Sequence, residues 1–269
     1  MDDRTMQQQV AFLVRCLLEE RKRTGGWLPP REPGADEPFG EQWDVFRALV
    51  NTREPYPAPE GFLAAQDALL RELVRRVGVT QVADLPPVAA DARLSLWRGD
   101  ITTLAADAIV NAANARMLGC WVPGHYCIDN AIHTFAGVQL RLECARLMDA
   151  QGYDEPTGRA KVTPAYNLPS RFVIHTVGPI AEGRSTDRNR LELASSYRSC
   201  LEAAVACKAR SVAFCCISTG VFGFPQEEAA PLAVRTVRAW LDAHQDADLR
   251  VVFDVFGERD EGLYRALLS

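Results

Sequence analysis

The pattern of hydrophobic and polar positions changes near residue 90 of the chain. From residue 92 onward, short apolar runs alternate with longer segments in which apolar residues recur at helical spacing. The short runs predict strands and the helical spacing predicts amphipathic helices, which together indicate a three-layer α/β/α sandwich. The predicted strands span residues 93–98, 107–110, 160–165, 172–177, 212–217 and 249–256. The predicted helices span residues 129–151, 188–208, 225–244 and 261–268.

The first 90 residues carry a different pattern, with two helix-like stretches separated by a longer segment. The apolar residues at helical spacing are Val10, Leu13 and Leu17 in the first stretch and Leu69, Leu73 and Val77 in the second. Glycine and proline mark residues 25–34 and 55–59 as loops, and the Pro86-Pro87 pair ends the region. We therefore predict a helical N-terminal extension over residues 1–90 and one α/β domain over residues 91–269.

Charge and cysteine usage narrow the function class. The net charge of −5 argues against broad nucleic-acid binding, which needs a basic face, but it is compatible with a small anionic ligand held by backbone amides. The polar N-terminal residues are unlike a signal peptide, and no apolar run approaches the roughly 20 residues that span a membrane. The eight cysteines are scattered, which indicates free thiols in a reducing compartment. These features predict a cytoplasmic protein that binds neither nucleic acid nor a membrane.

Three candidate metal ligands, Cys120, His125 and Cys127, lie close together in a segment that we call the metal loop (residues 120–127). Thiolates and imidazole favour zinc over magnesium or calcium. Catalytic zinc sites keep one coordination position open, whereas structural sites usually have four protein ligands. The nearest candidates for a fourth ligand are Asp129 and His133. A chance cluster and a structural zinc knuckle stay open as alternatives, although the chain has no second C-x2-C or H-x3-H pair that would complete a knuckle.

The predicted helix after the metal loop begins with Asp129 near its start. Asp129 fits a helix N-cap, and it also fits a carboxylate beside a metal that positions or activates water. His133 lies one turn further along the same face. It fits a packed core histidine or a hydrogen-bonding partner of the metal ligands. These residues alone leave both pairs of alternatives open.

Three loops that follow predicted strands carry residue types suited to a nucleotide. Residues 218–225 contain two glycines and small hydroxyl residues, so their backbone amides can surround a phosphate at a helix N-terminus. Asn114, after the second strand, can bond ribose hydroxyls or stabilise a turn. Asp100, after the first strand, can accept from an exocyclic amine or act as a turn residue. In open α/β sheets such loops meet at the carboxyl edge, where ligands bind.

Taken in order, these motifs resemble the macrodomain family. The matching segments are residues 97–102 (WRGDIT), 108–114 (AIVNAAN) and 218–225 (STGVFGFP). Residues 119–133, which contain the metal loop, resemble the zinc-dependent branch of that family in bacteria and fungi. The resemblance covers residues 92–268, and a helical extension before them is also typical of the branch. It implies a mixed central sheet between two layers of helices.

The resemblance implies a binding site for ADP-ribose. Asp100 would hold the adenine amine with help from the amide of Ile101, and Phe256 would stack near the base. Asn114 would contact the distal ribose. The diphosphate would lie against the backbone amides of Ser218, Thr219, Gly220, Val221 and Phe222.

The resemblance also implies a reaction, the hydrolysis of the ester between the distal ribose and an acidic side chain of a mono-ADP-ribosylated protein. The implied cofactor is Zn²⁺, held by Cys120, His125 and Cys127. The side chains implied in catalysis are Asp129, Asn114 and His133. In this branch the modified protein is often a lipoyl-carrier protein, and a sirtuin-like transferase attaches the ADP-ribose.

Three other functions stay open, of which the first two would use the same pocket. They are a non-catalytic ADP-ribose reader, a hydrolase of O-acetyl-ADP-ribose, and a structural zinc protein with a vestigial pocket. A reader needs neither the metal loop nor Asp129, so those features favour an enzyme. The sequence does not separate hydrolysis of a modified protein from hydrolysis of the small metabolite.

Overall fold

A six-stranded sheet forms the centre of the computed structural model, which describes residues 1–34 and 36–269. The strands are β1 (Thr80–Gln81), β2 (Leu94–Arg98), β3 (Leu104–Ala105), β4 (Ala108–Ala113), β5 (Ala160–Pro164), β6 (Phe172–Val177), β7 (Ser211–Phe214) and β8 (Arg250–Val255). The order in the six-stranded sheet is β2-β8-β7-β4-β6-β5, and β1 and β3 form a separate pair. All neighbours are parallel except β5 and β6, which are antiparallel. The sheet is therefore mixed, as expected.

Helices cover both faces of this sheet. The helices are α1 (Asp3–Thr24), α2 (Phe39–Asn51), α3 (Glu60–Val77), α4 (Ile128–Ala136), α5 (Val138–Gln151), α6 (Asp187–Ala206), α7 (Gln226–Ala243) and α8 (Glu258–Leu268). On one side α6 packs on β5 and β6, α8 packs on β2 and β8, and α7 packs against both helices. On the other side α4 packs on β4 and α5 packs on β5. The three-layer α/β/α prediction is confirmed.

The central strands are apolar because helices cover them on both faces. Ile109 and Val110 of β4 and Val212 and Ala213 of β7 have no solvent exposure. Ile109 pairs with Ala213, so the two strands run in parallel register. The carboxyl ends of β2, β8, β7 and β4 consequently lie along one edge of the sheet, and the loops that follow them meet there.

The prediction of one long helix over residues 129–151 is wrong, because the helical structure is interrupted at Gly137. This glycine has φ +98°, a left-handed conformation that favours glycine, and it separates α4 from α5. The amide of Val138 donates to Gln66 Oε1 at 3.0 Å. A Cβ atom on Gly137 would lie 2.5 Å from Gln66 Nε2, so that side chain of α3 would have to move for any other residue. The helical spacing on both sides of the break concealed it in the sequence.

Most predicted strand ends agree within one residue, but two of them differ by three residues. The apolar run 212–217 stops being a strand at Phe214, and its last residues begin a loop. The strand predicted over residues 107–110 extends to Ala113, which places Asn111 inside β4. A polar side chain is therefore fixed within the sheet next to the ligand edge.

The described residues of the N-terminal region form three helices, whereas the apolar spacing predicted two. The additional helix is α2, whose buried residues include Gln42, Arg47 and Asn51. These polar residues interrupt the apolar stripe and made the helix unrecognisable from the pattern. The three helices share an apolar core that also takes in Val138 of α5. No helix in the described ranges is long and apolar enough to cross a membrane.

Candidate active site

Three polar side chains meet where β4 ends and α4 begins. Asn111 donates through Nδ2 to Asp129 Oδ1 at 2.8 Å. Asn114 places Nδ2 3.5 Å from Asp129 Oδ2, and it also donates to the carbonyl oxygen of Gly119 at 2.9 Å. An amide group thus faces each oxygen of Asp129, and the carboxylate is held in one orientation.

Asp129 is a buried carboxylate and does not cap α4. The N-cap is Cys127, whose Sγ accepts from the amide of Asn130 at 3.5 Å. Asp129 lies in the first turn and is 5% exposed. Burial raises the pKa of Asp129 to about 6, and the hydrogen bond from Asn111 and the charge of Arg141 oppose that rise. The interpretation of Asp129 as the N-cap is therefore wrong. Its carboxylate is not used for capping and is available inside the candidate site.

His133 lies one turn after Asp129, with Nε2 3.6 Å from Asp129 Oδ1. Neither ring nitrogen has a hydrogen-bond partner among residues 1–34 and 36–269. Burial, followed by the charges of Arg141 and His175, lowers the pKa of His133 well below its usual value. The ring is therefore neutral. Within the same described ranges no hydrogen bond joins it to the three candidate metal ligands, so it is not their hydrogen-bonding partner.

Behind Asp129 lies a buried polar layer that the sequence analysis missed. Asn111 Nδ2 is 3.1 Å from His175 Nδ1, and His175 Nε2 is 3.0 Å from Thr163 Oγ1. The Asn111 amide group is the donor, so His175 Nδ1 is the acceptor and Nε2 carries the proton. Burial lowers the pKa of His175 to about 3, which keeps this ring neutral. The polar residues Asn111 in β4 and His175 in β6, each within an apolar strand, were the signal that could have revealed the layer.

The structure brings the three candidate metal ligands together. The ligand atoms of Cys120, His125 and Cys127 all lie within 4.8 Å of one another. Cys120 Sγ and His125 Nδ1 are 3.5 Å apart. Neither Asp129 nor His133 belongs to this cluster in the described part of the chain. The two expected fourth ligands are thus not in place.

The metal loop is tied to the start of α4 from inside. Asn130 Nδ2 donates to the carbonyl oxygens of Val122 at 3.3 Å and His125 at 3.1 Å. Asn130 is fully buried, whereas Val122 is 55% exposed. One amide side chain therefore bends the loop over the helix N-terminus.

The loop after β7 offers free backbone amides. The amides of Ser218, Gly220, Val221 and Phe222 donate no hydrogen bond within the described residues. The side chain of Thr219 donates to the carbonyl oxygen of Cys216 at 3.0 Å, which anchors the start of the loop. The loop then leads into the N-terminus of α7. Unpaired amides before a helix N-terminus favour an anion such as a phosphate.

Asp100 and Phe256 lie at the opposite end of the edge. Asp100 follows β2, and its Oδ1 accepts from the amide and the hydroxyl of Thr102 at 2.9 and 2.7 Å. Ile101 is buried beside it. Phe256 follows β8 directly and is 83% exposed. Because β2 and β8 are paired neighbours, these residues share one end of the edge.

The strand order sets the predicted site residues in a row. Asp100 and Phe256 follow β2 and β8, residues 218–222 follow β7, and Asn114 follows β4 beside Asp129 and the metal loop. Neighbouring strands are about 4.8 Å apart, so three spacings separate the two ends of the row by about 14 Å. The edge therefore suits an elongated ligand with a flat group at one end and an anionic middle.

Known proteins share this fold and these loops. The Macro domain family model matches residues 110–233. A protein-ADP-ribose hydrolase of Treponema medium is 50% identical over 267 residues, which cover 98% of this chain and 100% of the relative. One of Staphylococcus aureus (strain MSSA476) is 50% identical over 258 residues, which cover 96% of this chain and 94% of the relative. A Trypanosoma brucei macrodomain in complex with ADP-ribose has a TM-score of 0.64 and 32% identity, over 83% of this chain and 95% of that chain.

The similarity is not confined to the α/β part of the molecule. Because the Treponema medium relative covers 98% of this chain, the likeness includes the N-terminal helices. The α/β fold agrees with that of the solved Trypanosoma brucei macrodomain. Half of the residues are identical over 267 positions, and on this ground the chain belongs to the macrodomain family.

Proposed function

We propose that this protein hydrolyses the bond between mono-ADP-ribose and acidic side chains of a modified protein, with Zn²⁺ as cofactor. The proposal rests on one observation: the buried carboxylate of Asp129 lies between the amides of Asn111 and Asn114, directly after the metal loop. A pocket that only binds ADP-ribose needs neither a fixed carboxylate nor a cluster of thiols and imidazole. The two full-length relatives are named protein-ADP-ribose hydrolases, which supports the same activity.

The ligand would lie along the carboxyl edge of the sheet. Its adenine would bind at Asp100, Ile101 and Phe256, and its distal ribose would bind at Asn114. The diphosphate between them would take the free amides of Ser218, Gly220, Val221 and Phe222, whereas the amide of Thr219 already donates to the carbonyl oxygen of Cys216. Backbone amides explain how a chain of net charge −5 binds an anion without a basic surface. The solved Trypanosoma brucei macrodomain with ADP-ribose supports this class of ligand.

The donors of the metal loop fit zinc. Tetrahedral Zn²⁺ with Zn–S of about 2.3 Å and Zn–N of about 2.0 Å sets sulfur and nitrogen ligands about 3.6 Å apart. Cys120 Sγ and His125 Nδ1 are 3.5 Å apart, and Cys127 Sγ lies in the same cluster. Three protein ligands leave one coordination position open, as in catalytic sites. When bound there, zinc would supply a Lewis acid for the oxygen atoms of the distal ribose and its ester.

The other side chains would orient the substrate and move a proton. Asn114 would orient the distal ribose through its amide group. Asn111 would keep the carboxylate of Asp129 turned toward the site, and Asp129 would accept a proton from the water that cleaves the ester. His133, neutral and buried against Asp129, would support the carboxylate from behind. Water is consumed, and the products are ADP-ribose and a protein with its carboxylate restored.

The proposed partner is a mono-ADP-ribosylated protein in the cytoplasm. A lipoyl-carrier protein that a sirtuin-like transferase has modified is the candidate substrate, on the resemblance to the zinc-dependent branch. Such a protein gives the most direct test. A matched peptide that carries ADP-ribose on serine shows whether the acidic linkage matters.

The test measures ADP-ribose release from these substrates by chromatography. Zinc-loaded protein should release ADP-ribose from the acidic linkage, lose this activity in chelator and regain it with zinc. Cys127→Ser should lose it as well, because serine preserves the cap of α4 but is a poor zinc ligand. Cys207→Ser, which changes a half-buried cysteine outside the site, is the matched control.

Three outcomes would overturn parts of the proposal. Release that survives both chelator and Cys127→Ser would refute the zinc requirement. Tight ADP-ribose binding without release by the zinc-loaded protein would identify a reader. Release from O-acetyl-ADP-ribose but from neither protein linkage would identify a hydrolase of the small metabolite.

A further inference from the structure

Two arginine side chains contact the aromatic residues of the metal loop. The guanidinium of Arg47, on α2, lies over the ring of Tyr126 at 4.2 Å from its centroid. The guanidinium of Arg141, on α5, lies over the ring of Trp121 at 4.6 Å. Arg47 is 7% exposed and Arg141 is 4% exposed. Each end of the metal loop is therefore stacked on a buried cation.

The end of α2 is fixed to the α/β part of the molecule by hydrogen bonds. Arg141 donates to the carbonyl oxygens of Val50 at 3.0 Å, Asn51 at 2.8 Å and Arg53 at 2.6 Å. The side chain of Asn51 donates to Thr134 Oγ1 on α4 at 3.1 Å. Since both partners belong to the helices that follow the metal loop, α2 is held in one position relative to that loop.

We propose that α2 is a brace for the metal loop and that Arg47 is a positioning residue that acts through Tyr126. Tyr126 lies between His125 and Cys127, so a contact that fixes its ring also fixes the backbone between two of the three donors. This inference rests on the proposed function, because it concerns the loop that would hold zinc. It assigns a task to the N-terminal extension.

The loop needs such support because little else holds its outer side. Residues 114–127 contain no helix or strand. Tyr126 is 82% exposed and Val122 is 55% exposed, so neither side chain is buried in a core. From inside, the loop is held by the amide of Asn130. A cation over an aromatic ring stabilises most when the cation is removed from water, which is the case for Arg47.

An exposed tyrosine near the site also fits a contact with the modified protein. The burial of Arg47 under the ring favours the brace, since a residue that only touches substrate needs no cation beneath it. The two roles differ in what they predict. A brace predicts effects in the absence of substrate, whereas a substrate contact changes only the KM for the modified protein.

The test compares single and double variants in the full-length chain. Arg47→Met and Tyr126→Leu remove either side of the contact, and Tyr126→Phe keeps the ring. Arg15→Met is the matched control, because Arg15 lies over Phe12 at 5.9 Å on α1 and is exposed. The measurements are hydrogen exchange of the amides of residues 120–127, the rate of zinc transfer to a colorimetric chelator, and kcat and KM for ADP-ribose release.

Arg47→Met and Tyr126→Leu should each speed hydrogen exchange and zinc loss about fivefold. The double variant should be no worse than the single variants, since both remove one contact. The value of kcat should fall with them, whereas the Kd for ADP-ribose should stay within about twofold. Tyr126→Phe should behave as the parent, and so should Arg15→Met.

Unchanged hydrogen exchange in Arg47→Met would overturn the brace, and so would additive effects in the double variant. A change confined to KM in Tyr126→Leu, with Arg47→Met unaffected, would assign the ring to substrate contact instead. Hydrogen exchange is measured without zinc or substrate. A parent protein that neither binds zinc nor releases ADP-ribose would therefore refute the proposed function while the brace is still tested. If Arg47→Met does not fold, Tyr126→Leu gives the same test on an exposed side chain.

Discussion

Replacing Arg141 with methionine should destabilise the whole chain, because this residue joins the N-terminal helices to the α/β part. Its guanidinium donates to three carbonyl oxygens at the end of α2, which are 88 to 91 positions away in the sequence. Methionine keeps most of the apolar stem and removes the donors. The variant therefore isolates the polar contribution of the side chain.

The expected loss in the free energy of unfolding is the difference between two opposing contributions. Three hydrogen bonds from a charged donor, at about 2 kcal/mol each, stabilise the fold by about 6 kcal/mol. Burial lowers the pKa of Arg141 to about 10, and this corresponds to a cost of about 3 kcal/mol for the buried cation. The difference predicts a loss of about 3 kcal/mol for Arg141→Met. In a chain of this size that loss lowers the melting temperature by about 6–12 °C.

Calorimetry or reversible denaturant unfolding measures this loss, with Arg171→Met as the control. Arg171 forms an ion pair with Asp107 at 3.1 Å and is 57% exposed at its side chain. Such surface pairs contribute about 1 kcal/mol or less. A loss in Arg141→Met of under about 1 kcal/mol, equal to that of Arg171→Met, would show that the three carbonyl contacts add nothing to stability.

Three further predictions concern single residues. Asp129→Asn should lower the rate of ADP-ribose release about 10²- to 10⁴-fold, the usual contribution of a general base. The Kd for ADP-ribose, measured by calorimetry, should stay unchanged, and an equal loss of binding would contradict this role. Burial and the charge of Asp100 raise the pKa of Asp254, so folding takes up a proton and stability falls as the pH rises above the unfolded value of about 4. The Asp254→Asn variant should therefore have a higher melting temperature than the parent, and this difference should grow from pH 4 to pH 7. A difference that does not depend on pH would refute the argument. Gly223 has φ +64°, and its Cβ would lie 3.0 Å from the amide nitrogen of Gly183, so Gly223→Ala should cost about 1–2 kcal/mol in thermal unfolding. Gly220→Ala, where a Cβ meets nothing within 4 Å, should not, and equal melting of the two variants would contradict the strain argument.

Hydrophobic spacing was sufficient to predict the layers of the fold, because strands buried on both faces and helices buried on one face leave different patterns. It failed where a tertiary contact decided the outcome. The break at Gly137 is accompanied by a hydrogen bond from the amide of Val138 to Gln66 of α3, and no local pattern contains that distant partner. In the same way, α2 has polar residues on its buried face because Asn51 bonds Thr134 of α4 and Arg47 lies over Tyr126 of the metal loop.

The candidate site follows the same rule. Asp100, Asn114 and the loop after β7 were predictable, since each follows a strand and has a residue type suited to its chemistry. Asp129 was predictable because it follows the metal loop. Arg141 was not, because it lies inside an amphipathic helix and its partners come from residues 50–53. The side chains at the edge of the sheet were predictable from the sequence, whereas the side chains that hold them in place were recognised only in the structure.

The three carbonyl contacts of Arg141 also limit which segments related chains can exchange during evolution. Residues 47–53 and residues 120–141 form the two halves of one contact surface, although a border drawn near residue 90 separates them. In a chimera, the first 90 residues could come from one related protein and the remaining residues from another. The two halves of this contact surface would then come from proteins in which they did not evolve together. Substitutions in α2 and in the metal loop should therefore be inherited together, so that the extension diverges as part of the active-site loop and not as an interchangeable module.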